Sequence, residues 1–162
     1  APDNQATWES ANSLSAAITS GTHMVYHAAG WLEGGLCASY EKLVMDCEQL
    51  QQMIKYMQPV NYGESELAFD TIAEVGQGGH FFGTQHTQDR YETAFYSPFL
   101  SDWSNFENWE DRGSVMTVER AHRIWKQILR DFQTPPMDLA IREELDAFVA
   151  RRKSEGGVAT DF

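Results

Sequence analysis

Apolar residues recur every three or four positions along most of this chain, the period of α-helices packed on one face. Between Ala6 and Ser20, Trp8, Leu14, Ala17 and Ile18 gather broadly on one side, and Gly21 supplies the stop. From Leu36 to Met57 the apolar positions are Leu36, Tyr40, Leu43, Val44, Cys47, Leu50, Ile54 and Met57, a strong amphipathic helix closed by Pro59. Ser65 is placed to cap a helix running to about Val75, ended by Gly76, and a short helix is expected between Gln88 and Tyr96. Thr117 is placed to cap another, with Val118, Ala121, Trp125, Ile128 and Phe132 on one face, broken by Thr134-Pro135-Pro136. Asp138 caps the last helix, whose stripe is Ile141, Leu145, Phe148 and Val149; Arg151, Arg152 and Lys153 complement the dipole at its end.

Two segments break the helical period. His23-Met-Val-Tyr-His-Ala-Ala-Gly30 is short, apolar and bounded by glycines, without alternation. It predicts a strand buried on both faces, as in a parallel sheet, followed by a loop over Trp31–Gly35. Helix, strand, glycine-rich loop and helix make one α/β repeat. A lone strand leaves its edges unpaired, so its neighbours are expected in another copy or in sequence outside this chain. The second segment, Pro98 to Trp109, reads as an aromatic-rich irregular stretch.

At 162 residues one domain is the natural size, and 42% hydrophobic and 12% aromatic residues exclude a disordered tail. A net charge of −12 argues against nucleic acid or an anionic membrane surface as partner. The apolar runs are far too short to span a bilayer, and no secretory signal is visible at Ala1. Cys37 and Cys47 stand ten residues apart in a helical pattern. That is roughly 15 Å along the axis, too far for a disulfide, so a reduced, cytoplasmic setting is expected.

The densest chemistry lies in Gly76-Gln-Gly-Gly-His80-Phe81-Phe82-Gly-Thr-Gln-His86-Thr87, with four glycines, two histidines and adjacent phenylalanines. Such glycine content permits left-handed backbone and close approach. The stretch fits a loop shaped to hold a ligand, and equally a glycine-rich helix end with an ordinary connection. The spacing of His80 and His86 is not that of a zinc pair, and no metal site is expected.

Tyr26-His-Ala-Ala-Gly-Trp-Leu-Glu-Gly-Gly-Leu36, Ala38-Ser-Tyr-Glu-Lys-Leu-Val44, Gly78-Gly-His-Phe-Phe-Gly83 with His86-Thr87, Asp102-Trp-Ser-Asn-Phe-Glu-Asn-Trp109, Pro135-Pro-Met-Asp138 and Glu143-Glu-Leu-Asp-Ala-Phe-Val-Ala-Arg-Arg-Lys153 follow in order along nearly the whole chain. On these residues the chain resembles the C-terminal portion of the trimethylamine methyltransferase family of corrinoid-dependent enzymes. Members are similar to TIM barrels, a fold that takes about 250 residues or more. The resemblance therefore implies a mostly α fragment with few strands. Residues 1–62 would form the terminal βα unit or units, and 63–155 a helical extension carrying the loop 76–87. Residues 156–162 would be a flexible tail.

The implied reaction moves a methyl group from a tertiary or quaternary amine, trimethylamine or a betaine such as glycine betaine, to a Co(I) corrinoid carried by a separate protein. This chain would bind no cofactor itself, and alone it is expected to be inactive. In a barrel, residues just past a strand's C-terminal end face the site; here these are Tyr26, His27, Trp31 and Glu33. Tyr26 and Trp31 could form a cation–π cage and Glu33 could attract the ammonium, although Trp31 also fits core packing and Glu33 a solvated loop charge. His80 or His86 could donate to a betaine carboxylate, with Phe81 and Phe82 lining the pocket; hydrogen bonding within the loop is the alternative. Trp103, Phe106 and Trp109 fit packing of the extension or docking of the corrinoid protein. No catalytic residue is assigned. A homo-oligomer is expected, and a non-catalytic module for oligomerisation or docking is the other functional class open to the chain.

Overall fold

A computed structural model describes residues 1–156; most of the expected tail, 157–162, lies outside the described residues. The chain divides into two compact units, Ala1–Leu129 and a second beginning at Arg130. It is mostly helical, in the order α1 (Asn4–Thr19), β1 (Trp31–Leu32), β2 (Cys37–Ala38), α2 (Tyr40–Tyr56), α3 (Glu64–Leu67), α4 (Phe69–Val75), α5 (Gln85–Gln88), α6 (Phe106–Asp111), α7 (Thr117–Asp131) and α8 (Leu139–Ser154).

The strand expected over His23–Gly30 does not form; the segment is irregular. His27 and Gly30 take left-handed φ of +55° and +85°, which no extended strand accommodates. An antiparallel pair lies instead just beyond, with Trp31 opposite Ala38 and Leu32 opposite Cys37. It frames a single 3₁₀ turn over Glu33–Gly35, where a simple loop was expected. Cys37 thus sits on β2 rather than on a helix, and both cysteines are free thiols. Burial and the neighbouring Asp46 push the Cys47 thiol above its ordinary pKa.

Local capping explains most helix limits. Asp3 caps α1 by accepting the Ala6 N–H, and Ser39 caps α2 by accepting from Lys42, so α2 begins four residues later than the apolar period indicates. Ser65 is not a cap. The expected helix starts after Gly63 and splits at Ala68, whose φ of +53° separates α3 from α4. Helix between Gln88 and Tyr96 is replaced by α5, one turn earlier and capped by Thr84, followed by turns. The aromatic stretch is not wholly irregular: Asn105 accepts from the Asn108 N–H and starts α6. Thr117 is the first residue of α7 rather than its cap, and Glu119 reaches back to the N–H of Met116 at 2.8 Å. Asp138 caps α8 as the sequence predicts, and Arg151–Lys153 occupy its last turn.

In the first unit, Val44 of α2, Leu100 and Ala121 of α7 form the buried cluster, with Met45, Ile124 and Trp125 against it. Two charged side chains clasp the backbone of Leu100. Glu48 Oε2 accepts from the N–H groups of Phe99 (3.0 Å) and Leu100 (3.1 Å), and Arg120 Nε donates to the Leu100 carbonyl at 3.0 Å. The inner face of α2 differs from the apolar stripe read in its sequence. Lys42, Asp46 and Glu48 are buried beside Val44, while Tyr40, Leu43, Ile54 and Met57 are exposed. A second contact joins α2 to α7. Glu41 Oε1 accepts from Trp125 Nε1 and meets His122 Nδ1, both at 2.8 Å. The imidazole and then the indole hold the Glu41 carboxyl at about 2, against an ordinary 4.5.

In the second unit α8 stands with Ile141, Leu145, Phe148 and Val149 all exposed. Among the described residues no helix is long and apolar enough to cross a membrane.

Candidate functional site

Val25–Ala28 of the irregular segment, the β1–β2 turn and helix α1 line an open cavity of about 370 Å³. Tyr26, His27, Trp31 and Glu33 all line it. Glu9, Ser10 and Lys42 contribute from α1 and α2. The rings of His27 and Trp31 lie 4.9 Å apart, tilted by 52°. Tyr26 is 79% exposed and Trp31 39%, so both rings keep faces free for a ligand.

The wall is built from costly backbone. His27, Gly30, Glu33, Gly34 and Gly35 all have φ between +51° and +93°. Two of them carry side chains, for which left-handed backbone is strained. Gly30 is required where it stands: besides its φ of +85°, an added Cβ would lie 3.2 Å from Leu43 Cβ. Its N–H donates to Asp46 Oδ2 at 2.9 Å and its carbonyl accepts from Ser39 N–H at 2.9 Å. Lys42 Nζ, buried with Asp46, donates to both carboxylate oxygens at 2.5 and 2.6 Å and to Ser10 Oγ at 2.6 Å. Those three contacts occupy its three N–H donors, and Asp46 neutralises its charge. Among the described residues neither Glu9, whose Oε1 accepts from Gln5 Nε2 at 2.8 Å, nor Glu33 forms an ion pair, so acidic charge is in excess along the cavity lining, which favours a cation.

The Gly/His loop forms a separate region. Phe82 and His86 line another cavity, of about 730 Å³, with Arg90, Tyr91 and Phe95. His80 and Phe81 line neither of these two cavities; the His80 ring lies 5.9 Å from that of Phe82, tilted by 45°. The loop is held largely by itself. Thr84 Oγ1 donates to the Phe81 carbonyl (2.9 Å) and Gln88 Nε2 to that of Phe82 (2.6 Å). Gly79 packs on the backbone of Val75, whose carbonyl oxygen would clash with an added Cβ. His86 Nε2 is buried without a hydrogen-bond partner among the described residues. Arg90 reaches Glu66 at 3.2 Å and holds that carboxyl below its ordinary value. Among the described residues no group of three His, Cys, Asp or Glu side chains is placed to hold a metal ion.

Sequence reasoning did not single out Glu9 or Ser10, which lie on an ordinary helix face, nor the Lys42–Asp46 pair. Lysine and aspartate at i, i+4 normally signal a solvated ion pair; only the partners Ser10 and Gly30, distant in sequence, mark this one as interior.

The pocket combines aromatic faces, acidic side chains and a strained, anchored wall, groups that together can attract a small cation. Residues 1–157 match the trimethylamine methyltransferase family, and the chain belongs to it. It is 40% identical over 155 residues to a glycine betaine methyltransferase of Desulfitobacterium hafniense, covering 96% of this chain and 32% of that protein. It is 32% identical over 148 residues to a trimethylamine methyltransferase of Methanosarcina mazei, covering 91% and 30%. A trimethylamine methyltransferase of another Desulfitobacterium hafniense strain is 30% identical over 98% of this chain. The chain thus spans about a third of the length of these curated relatives.

Proposed function

We propose that this chain supplies one wall of the amine site of a methyltransferase that moves a methyl group from trimethylamine or a betaine to a Co(I) corrinoid. The observation that carries this reading is the convergence of Tyr26, His27, Trp31, Glu9 and Glu33 on one cavity. An aromatic face attracts a methylated ammonium by about 0.5–2 kcal/mol per ring, and the two carboxylates add a field of the right sign. Family membership supports methyl transfer as the chemistry. The corrinoid, carried by a partner protein, provides the methyl acceptor; this chain's part is to hold the amine. Lacking most of the relatives' length, the 162-residue chain alone is expected to show no turnover.

The fold reading that goes with this proposal is a C-terminal fragment of a TIM-barrel enzyme, residues 1–62 from the barrel and 63–155 from a helical extension. Its support is the relatives' threefold greater length and the many large apolar side chains exposed here, among them Leu36, Ile54 and Phe69. Contact with the corrinoid protein is assigned to the exposed aromatics Trp103 and Phe106, and self-association to the stripe on α8.

The test uses the full-length protein with Co(I) corrinoid and, one at a time, trimethylamine, glycine betaine, proline betaine and carnitine, following corrinoid methylation by absorbance. Methylation with one amine, lost in Trp31→Ala, is the expected result. A folded protein silent across the panel would overturn the reading.

A further inference from the structure

We propose that Lys42 and Asp46 are positioning residues for the amine pocket: the buried pair exists to hold the Gly30 N–H, and through it the strained wall that carries His27, Trp31 and Glu33. This rests on the amine-site reading above. The argument begins with burial. Both side chains are almost fully enclosed, at 2% and 4% exposure. A buried ion pair gains little net stability, because desolvating two charges offsets their attraction; well-packed apolar replacements are often neutral or stabilising. Stability is therefore a poor reason for this pair to exist.

Its contacts supply a better one. Asp46 spends one oxygen on the Gly30 N–H, and Lys42 fixes that carboxylate while tying it to Ser10 of α1. Gly30 stands between His27 and Glu33, the two non-glycine residues of this wall held at left-handed φ, and next to Trp31. Strained backbone persists only where its surroundings over-determine it. Here those surroundings are the Asp46 contact on the Gly30 N–H, the Ser39 contact on its carbonyl and Leu43 against its Cα. Without the first, the segment can relax towards ordinary φ, and the His27–Trp31 ring contact leaves the cavity wall. Neither Lys42 nor Asp46 touches the amine in this scheme, since all three Lys42 donors are already engaged.

Two double variants of the full-length protein separate the role. Lys42→Met with Asp46→Leu removes both the ion pair and the acceptor for Gly30. Lys42→Met with Asp46→Asn removes the ion pair but leaves a carbonyl oxygen for the Gly30 N–H. Binding is read by saturation transfer to the methyl protons of tetramethylammonium, and folding by thermal unfolding. Both variants are expected to melt close to the parent. The leucine variant should bind at least about tenfold more weakly, the equivalent of one lost cation–π contact, and the asparagine variant close to the parent. In the methylation assay the loss should fall on KM more than on kcat. Equal binding by all three proteins, equal loss in both variants, or a melting point more than about 10 °C lower in either would each overturn the positioning role. If instead the parent fails to bind tetramethylammonium, or Trp31→Ala binds as well as the parent, the amine-site reading itself fails.

Discussion

Residues 26–35 carry three glycines, a histidine and two large aromatics; residues 76–88 carry four glycines, two histidines and two phenylalanines. The second stretch is the more conspicuous in composition, yet the two are fastened differently. The first is tied from a distance: Gly30 to Asp46, sixteen residues on, and that carboxylate through Lys42 to Ser10 on another helix. The second closes mostly on itself, through Thr84, Gln88 and the Val75–Gly79 contact, with Arg90–Glu66 reaching farther along the chain. Glycine and histidine density therefore marks unusual backbone in both places, whereas distant tethers distinguish the region in which side chains from three parts of the chain converge.

The sharpest way to break the contrast is Lys42→Ala alone, which leaves the Asp46 carboxylate buried without its cation. A loss of about 3–5 kcal/mol in urea unfolding is expected, far more than in the double variants above. Gly30→Ala comes next. A methyl 3.2 Å from Leu43 and an alanine at φ +85° should together cost about 1–3 kcal/mol and weaken amine binding in parallel. In the other region Thr84→Val removes the α5 cap, at a cost of about 1 kcal/mol. Faster amide exchange should then be confined to residues near 84–88, with amine binding unchanged; a loss of binding would show that the two regions are coupled. The smallest effect is expected from acid. Because the folded Glu41 pKa is depressed to about 2, its pairing with His122 and Trp125 contributes fully above the ordinary 4.5 and is lost as pH falls from there through about 2. The contribution is about 1 kcal/mol after allowing for solvent screening. A melting-temperature difference between the parent and Glu41→Gln that does not narrow between pH 5 and pH 2 would contradict it.

What was legible in the sequence was local. The long helices follow from a period of three to four residues, and Gly21, Gly76 and Asp138 mark ends that depend only on neighbouring backbone. The His23–Gly30 strand was misread because a short apolar run between glycines has the same pattern whether it is extended or looped; the deciding facts, φ at His27 and an acceptor on Asp46, are not periodic. Asn105 was readable as a cap but was masked by the surrounding aromatics. The inner face of α2 was hidden for the opposite reason. Lysine, aspartate and glutamate signal solvent unless each finds a partner, and those partners, Ser10, Gly30 and Leu100, lie 16 to 52 residues away. Tyr26, His27, Trp31 and Glu33 share one cavity, while the proximity of Glu9 required the fold.

The clasp on Leu100 has a kinetic consequence. Its amide is held by Glu48 from α2 and its carbonyl by Arg120 from α7, helices separated in sequence by sixty residues. The connection that contains Leu100 therefore cannot become ordered until both helices have docked. In native-state hydrogen exchange the Leu100 amide should behave like a core helix proton, opening only in the largest cooperative event, although it belongs to a segment with no secondary structure.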